Sequence, residues 1–269
     1  CGLLLALAFP ERIGQNRGGG KFLLGNGRGA YLSKGHPLTQ EAYIVAVEVD
    51  DAGGEGRVLQ SVAVEINDVR RVMAGQIRNE SQAFWEGATR KISAREKECL
   101  GALVLKETPV KPTPMQVRQV LKEALQSEGL TKLLNWTPGT QQLRQRLAFV
   151  HHWDAQKWPH VSEEALLART EEWLEPFWGL EPDGSALRRL DVCQALMALV
   201  PWELQRSLDE WAPATVKMPS GRSVMINYQD AAAPFVAVKL QEVFGWQETP
   251  RLAEGRVPLT LQLLSPAQR

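Results

Sequence analysis

Six basic side chains stand where a polyanion could be held. Arg28 sits in Gly25-Asn-Gly-Arg-Gly29. That loop could offer backbone N–H groups and a guanidinium to a phosphate, and its glycines equally suit a hairpin turn that needs positive φ. Arg90, Lys91 and Arg95, followed by Lys97, make a second basic run beside Phe84 and Trp85. Charge next to aromatic rings is what tracks and stacks a single strand. The alternation of this stretch also allows Trp85 to point inward as core, with the charges left as a solvated strand edge. Arg17 and Lys21 belong to a basic front, since residues 1–40 carry Arg12, Arg17, Lys21, Arg28 and Lys34 against Glu11 alone. Residues 160–185 reverse this, with Glu163, Glu164, Glu171, Glu172, Glu175, Glu181 and Asp183 against Arg169. A basic front and an acidic middle steer a polyanion to one side; the alternative is two solvated faces of opposite sign.

Nucleotide-hydrolysis motifs are missing. Gly18-Gly-Gly-Lys21 looks superficially like a phosphate loop, but Gln15 stands where the first glycine is needed and Phe22 replaces the magnesium-binding hydroxyl. No DEAH string occurs. His151, His152 and His160 raise the question of a metal. However, adjacent histidines on a helix diverge by roughly 100° and no cysteine or carboxylate completes a set, so no metal site is expected. Cys1, Cys99 and Cys193 are scattered, without a CxxC pair, which excludes a zinc ribbon of the usual spacing and a disulfide scaffold and fits a reducing cytoplasm. Leu3–Phe9 is too short to span a bilayer.

These residues need elements to hold them. The chain of 269 residues, 44% hydrophobic and 23% charged with zero formal net charge, is long enough for two or three domains. Residues 2–9 read as the last turns of a helix ended by Pro10, and Arg12–Gly20 as a Gly-rich linker. Strand candidates follow at Lys21–Leu24 together with Gly29–Leu32, then at Ala42–Asp50, Arg57–Ile66, Ser81–Ile92 and Leu100–Glu107. A hairpin loop is expected at Asp51–Gly56, and a short helix from Asn67, as its cap, to Ala74, ending at Gly75. Three strands, a helix and two strands is the order of an OB-fold. Pro109–Pro114 reads as a boundary. Helices are expected from Thr113-Pro114 to Gly129, from Thr137-Pro138 along Leu143, Leu147 and Val150, from Ser162 to Glu175, over 185–199, and from Trp202 to Trp211. Eight of the nine Trp lie in residues 136–246; Trp153, Trp158, Trp173, Trp178, Trp202 and Trp211 read as anchors between short helices, with a stacking or docking surface as the alternative.

The C-terminal stretch is β-rich. Val224, Ile226 and Tyr228 alternate with polar neighbours, as do Val236, Val238 and Leu240. A helical turn over Gln241–Phe244 and a strand over Arg256–Leu264 complete it, with Pro258 at an edge. Arg222, Lys239, Arg251 and Arg256 decorate this module, and Arg251 and Arg256 flank a turn at Glu254-Gly255. That turn could face a ligand or be purely structural.

The strings PSGRSVMINY (219–228), VKLQEVFG (238–245), ETPRLAEGRVPL (248–259) and LLSPA (263–267), together with LVPWEL (199–204) and FLLGNGRGA (22–30), resemble the C-terminal region of the bacterial HrpB-type ATP-dependent helicases, a branch of the DEAH-box RNA helicases. The resemblance covers essentially the whole chain. It implies an α+β multidomain arrangement: the end of a helical-bundle domain and a linker at 1–17, a five-stranded OB-fold barrel at 18–110, a helical segment at 111–212 and a small β-rich C-terminal module at 213–269. It further implies a fragment that opens mid-pattern and a last module cut short, because the family's sequence continues past LLSPA. ATP and Mg²⁺ would belong to motor domains upstream in the same chain, with no cofactor here. Single-stranded RNA would be the partner, with Arg17 and Lys21 at the channel entrance and Arg28, Arg90, Lys91 and Arg95 on phosphates, in a cytoplasmic protein with no membrane contact. The alternative from another class is a platform that docks an activator or other protein and touches no nucleic acid.

Overall fold

Alternating apolar residues and a few close-packed glycines put five strands into a closed ring. The computed structural model describes residues 1–50, 54–180 and 182–264. Two units emerge, one of Cys1–Phe84 with Ile92–Thr113, the other of Trp85–Lys91 with the described residues from Pro114 onward. The first unit opens with α1 (Gly2–Ala8), which Pro10 ends by starting a 3-10 turn, Pro10–Arg12. Strands β1 (Ile13–Gly18), β2 (Lys21–Leu24), β3 (Gly29–Tyr31), β4 (Tyr43–Asp50) and β5 (Gly56–Ala63) follow and close in the order β1-β2-β3-β5-β4. All contacts in the ring are antiparallel except β3–β5. Inside lie Phe22, Leu24, Ala30, Leu32, Ile44, Ala46 and Val58, the inward half of each period-two pattern. A second cluster joins Ile13 and Val45 of the barrel to Ala6 of α1, to Val69 and Met73 of and after helix α2 (Ile66–Val72), and to Leu100 and Leu103. Strands β6 (Arg78–Glu86), β7 (Lys91–Leu100) and β8 (Leu103–Val110) make a separate three-stranded sheet.

Several expectations need correction. Arg12–Gly20 is not a linker, because its glycines serve a strand. A Cβ on Gly14 would meet Leu24, Ile44 and Phe22 at 3.2–3.3 Å, so glycine is what lets β1 lie against the packed interior. All five barrel strands precede α2, where three before and two after were expected. The gap between β3 and β4 holds instead a 3-10 turn, Pro37–Gln40, capped by His36 Nδ1 accepting from the Leu38 N–H at 3.2 Å. Helix α2 starts one residue earlier than expected, behind Glu65, with no side-chain cap from Asn67, and ends at Val72 before a 3-10 turn, Ala74–Gln76. The run Ser81–Ile92 is not one strand but a hairpin tip, turned at Arg90 with φ +54°. Leu100–Glu107 is likewise broken, at Gly101-Ala102. The expected loop Asp51–Gly56 lies partly outside the described residues.

The second unit is helical first. It contains α3 (Pro114–Glu128), α4 (Leu130–Leu133), α5 (Pro138–Trp153), α6 (Glu163–Ala168), α7 (Thr170–Trp173), α8 (Ala186–Arg189), α9 (Val192–Ala198), α10 (Trp202–Gln205) and α11 (Leu208–Trp211). Gly129, with φ +86°, stops α3. The Thr137 and Ser162 hydroxyls accept from the N–H groups of Thr140 and Ala165 as expected of N-caps. The last three expected helices are each split in two; Asp191, for example, starts α9 afresh by accepting from the Gln194 N–H at 3.0 Å. Trp158, Trp173, Trp178 and Trp211 are buried anchors, but Trp153 and Trp202 are exposed.

The tail of this unit pairs β9 (Thr215–Lys217) with β10 (Ser223–Met225) and β11 (Phe235–Lys239), in parallel, with β14 (Thr260–Leu264). A two-residue pair, β12 (Arg251–Leu252) and β13 (Val257–Pro258), lies between. The strand expected over Arg256–Leu264 is thus two, parted at Leu259, and the expected helical turn is 3-10, Leu240–Val243. Ile226 and Tyr228 are buried, and the Tyr228 hydroxyl donates to the Pro213 carbonyl at 2.8 Å. The chain is therefore mixed α+β, with a closed five-stranded barrel, a helical stretch and small C-terminal sheets.

Gly101 tests the barrel's outer contact. Its φ is +58°, and an added Cβ would fall 2.3 Å from the Gly25 carbonyl oxygen, which accepts the Ala102 N–H at 2.9 Å. Gly35 also has positive φ, +83°, but open space around it. Gly35→Ala should cost about 1 kcal/mol of strain. Gly101→Ala should cost clearly more, because backbone must move; thermal unfolding of the two variants checks the order.

Candidate nucleic-acid interface

Register places three side chains in one row across the outside of the barrel. Lys21 on β2 is paired with Tyr31 on β3, and Tyr31 with Arg57 on β5. Directly paired residues share a face, with Cβ atoms about 5 Å apart. Their strand neighbours Phe22, Ala30 and Val58 point into the core, so the row faces out. Tyr31 is 37% exposed, and both cations are exposed. Lys21 Nζ meets Glu55 at 3.0 Å, both side chains half in solvent; an exposed pair of this kind is worth at most about 1 kcal/mol and yields readily to a phosphate. Arg17 stands exposed at the end of β1, across the triglycine turn Gly18–Gly20 from Lys21. The row can thus stack a base on Tyr31 while cations on either side meet the backbone.

The other expected residues are not gathered there. Arg28 is exposed at the far end of β2 from Lys21, about three residues or roughly 10 Å along the strand. The backbone of its loop offers no phosphate cradle. The N–H groups of Gly25, Asn26, Gly27 and Arg28 bond to Ile13 O, Glu11 O, Leu24 O and Asn26 Oδ1, so the glycines make a turn. Arg95 pairs with Glu107 at 3.0 Å across β7–β8 and lies 5.3 Å over the Phe84 ring. Arg90 is half-buried, Lys91 is exposed, and both belong to the hairpin tip of the second unit. Trp85, half-buried in that tip, donates from Nε1 to Glu128 at 2.6 Å. Hydrogen bonds from Lys132, and then from Trp85, hold the Glu128 carboxyl below its ordinary range.

Tyr31 and Arg57 were missed in the sequence. Alternation alone turns Tyr31 outward, opposite to Ala30. Arg57 joins it only through a parallel pairing between strands 26 residues apart, which no local pattern reveals. In the C-terminal module Arg251 and Arg256 are spent on their own turn: Arg251 Nε donates to Gly255 O at 2.7 Å, and Arg256 covers Trp211 at 5.0 Å. Among the described residues no group of three or more His, Cys, Asp or Glu is placed to hold a metal ion, and no helix is long and apolar enough to cross a membrane.

Residues 173–269 match the family model HrpB_C, described as ATP-dependent helicase C-terminal. Over 99% of its length the chain is 35% identical to the ATP-dependent RNA helicase HrpB of Escherichia coli (strain K12). The family match is confined to residues 173–269, which carry the HrpB-type helicase C-terminal domain. Solved structures agree: the E. coli DExH-box NTPase HrpB matches with a TM-score of 0.58 at 34% identity, and the E. coli DEAH/RHA helicase HrpB with 0.56 at 32%, each over 99% of this chain and 34% of that one. The chain spans about a third of the curated relative, 33% of its length, and corresponds to the accessory C-terminal region of an HrpB-like ATP-dependent helicase. The HrpB-type model falls wholly within the second unit, whereas the row on the barrel lies in the stretch that only the longer HrpB likeness covers.

An exposed row of this kind contributes little to folding. Arg57→Ala and Tyr31→Ala should each change unfolding free energy by less than about 1 kcal/mol. Phe22→Ala, on the same ladder but in the core, should cost about 3–5 kcal/mol. Denaturant melts of the three variants give the comparison.

Proposed function

We propose that this chain guides a single strand of RNA beside an ATP-driven helicase motor carried elsewhere in the same polypeptide. The observation that carries the reading is the Lys21–Tyr31–Arg57 row on a five-stranded barrel, in a chain similar throughout to HrpB. We read the barrel as an OB-fold, a fold whose second and third strands commonly face oligonucleotides. Tyr31 supplies a sequence-tolerant stacking platform. Lys21, Arg57 and Arg17 supply the phosphate contacts, which carry no base information. We propose Arg28, Arg90, Lys91 and Arg95 as additional phosphate contacts outside this row. ATP and Mg²⁺ belong to the motor, so the isolated chain should release no phosphate from ATP. A cytoplasmic setting goes with this reading. The competing reading is a protein-docking platform, favoured by the exposed Trp202 and Phe244.

Titrating a labelled single-stranded RNA at several salt concentrations separates the two. Nucleic-acid binding should weaken steeply with salt; removing one phosphate contact by Arg57→Ala should lower the log–log slope by about 0.7. Tyr31→Ala should weaken binding by about 1–3 kcal/mol without changing the slope. The Arg90→Ala/Lys91→Ala variant should lower the slope further. Equal affinities and slopes for all variants would put the protein-docking reading ahead.

A further inference from the structure

One face of α5 forms the floor of a cavity of mixed polar and apolar lining that the RNA reading does not use. Gln141, Arg144, Gln145, Ala148, His151 and His152 follow one another at helical spacing and line a space of about 520 Å³. The walls come from Trp136, from His160–Ser162 and from Tyr228, Gln229 and Ala231. Ala148 at the centre leaves the room that a longer side chain would fill. The volume falls in the range of small-ligand sites.

The lining chemistry is one-sided. No carboxylate lines the cavity. Arg144 spends Nε on the Val161 carbonyl at 3.0 Å and lies 5.3 Å over the Trp136 ring, leaving its two Nη groups as donors. The nearby Glu164 carboxyl is held low first by its own backbone N–H and the Ser162 hydroxyl, and only then by the charges of His160 and Arg144. It is therefore already satisfied at the start of α6. His151 and His160 stack with centroids 4.7 Å apart and planes within 6°. Nδ1 of His151 contacts the Trp158 carbonyl at 2.8 Å. A carbonyl only accepts, so the neutral ring carries its proton on Nδ1 and leaves Nε2 as the other functional nitrogen. Flat rings, a guanidinium, three carboxamides and imidazoles without a lining carboxylate suit an anion attached to a planar heteroaromatic group.

We propose that this cavity is a binding site for a small anion of the nucleoside monophosphate class, with Arg144 on the phosphate and the Trp136 and histidine rings beside the planar base. The site lies wholly in the second unit and stands or falls separately from the barrel's contact with RNA.

Calorimetric titration of the full chain with AMP tests it, with adenosine and inorganic phosphate as separate probes. AMP should bind saturably, and each half-ligand at least tenfold more weakly. Arg144→Gln should weaken AMP at least tenfold. Because Arg144 also holds Val161, a second variant is needed: Ala148→Leu, which keeps helix propensity and fills the floor, should abolish the heat of binding while leaving the thermal transition in place. The background Tyr31→Ala/Arg57→Ala should bind AMP as the parent does. Absence of saturable AMP binding, or unchanged affinity in a folded Ala148→Leu protein, would overturn the site.

Discussion

Closure of the barrel depends on two short contacts, β3–β5 at two pairs and β1–β4 at three. β1 meets β4 at only three pairs, Ile13–Val45, Gly14–Ile44 and Gln15–Tyr43, and without them the ring becomes an open sheet with two edges. The contact is reinforced by side chains that bond outward from β1. Gln15 Nε2 donates to the Tyr43 hydroxyl and to the Val104 carbonyl, each at 2.8 Å, and Asn16 Nδ2 donates to Thr39 and Glu41 carbonyls at 3.0 and 2.7 Å. One strand therefore helps close the barrel, pins the connection into β4 and ties down β8. The row at Lys21, Tyr31 and Arg57 spans another junction of the ring, where β3 pairs in parallel with β5.

Burial explains why that row is left bare while similar residues elsewhere are covered. α1, α2 and the β7–β8 turn pack over Ile13, Val45 and the half-buried Leu23. Leu23 lies two residues beyond Lys21 on the same face, paired with Gly29. The outer face of β2–β3 is thus apolar and covered at one end and charged and open at the other. Arg95 and Arg256 show the opposite arrangement, each engaged with a carboxylate and an aromatic ring of its own unit. Basic side chains on this chain do not share one role, and only register distinguishes those that face solvent together.

Much of the fold was legible where short-range rules decide. Phe22, Leu24, Val58, Ile226 and Tyr228 alternate into cores as their patterns require, and Thr137 and Ser162 cap helices as their types require. What failed did so for two physical reasons. Glycine was taken as punctuation at Gly14, where it instead permits close packing inside a strand. Hairpin turns without a strong signal, at Gly87–Arg90 and Gly101-Ala102, were read through as continuous strand, which displaced the last two strands into the barrel. The same limit applies to the candidate site. Arg28, Arg90, Lys91 and Arg95 were visible as local runs, but a run does not say which strand edge it occupies. Arg57, isolated in sequence, gains its place from a parallel pairing.

The second unit meets a related constraint by different means. Apart from α3 and α5 its helices are short, several of only four residues, and such helices are not stable alone. They are fixed by buried tryptophans, of which Trp173 and Trp211 also reach backbone or charge. Trp173 Nε1 donates to the Leu166 carbonyl at 2.9 Å, and Trp211 Nε1 to Glu254 at 3.0 Å, while Lys157 and Arg256 cover the Trp211 ring. Trp211 thereby joins α11 to the turn after β12, and the Ala253 N–H returns a bond to the Trp211 carbonyl at 2.8 Å. That turn holds Ala253 and Glu254 at φ +51° and +54°, strained positions for non-glycine residues. They persist because the tryptophan holds the turn from both its indole and its backbone. The HrpB-type wording of this stretch, Arg251-Leu-Ala-Glu-Gly-Arg256, is accordingly read most directly as packing chemistry: each charged residue in it is committed to a partner within the unit.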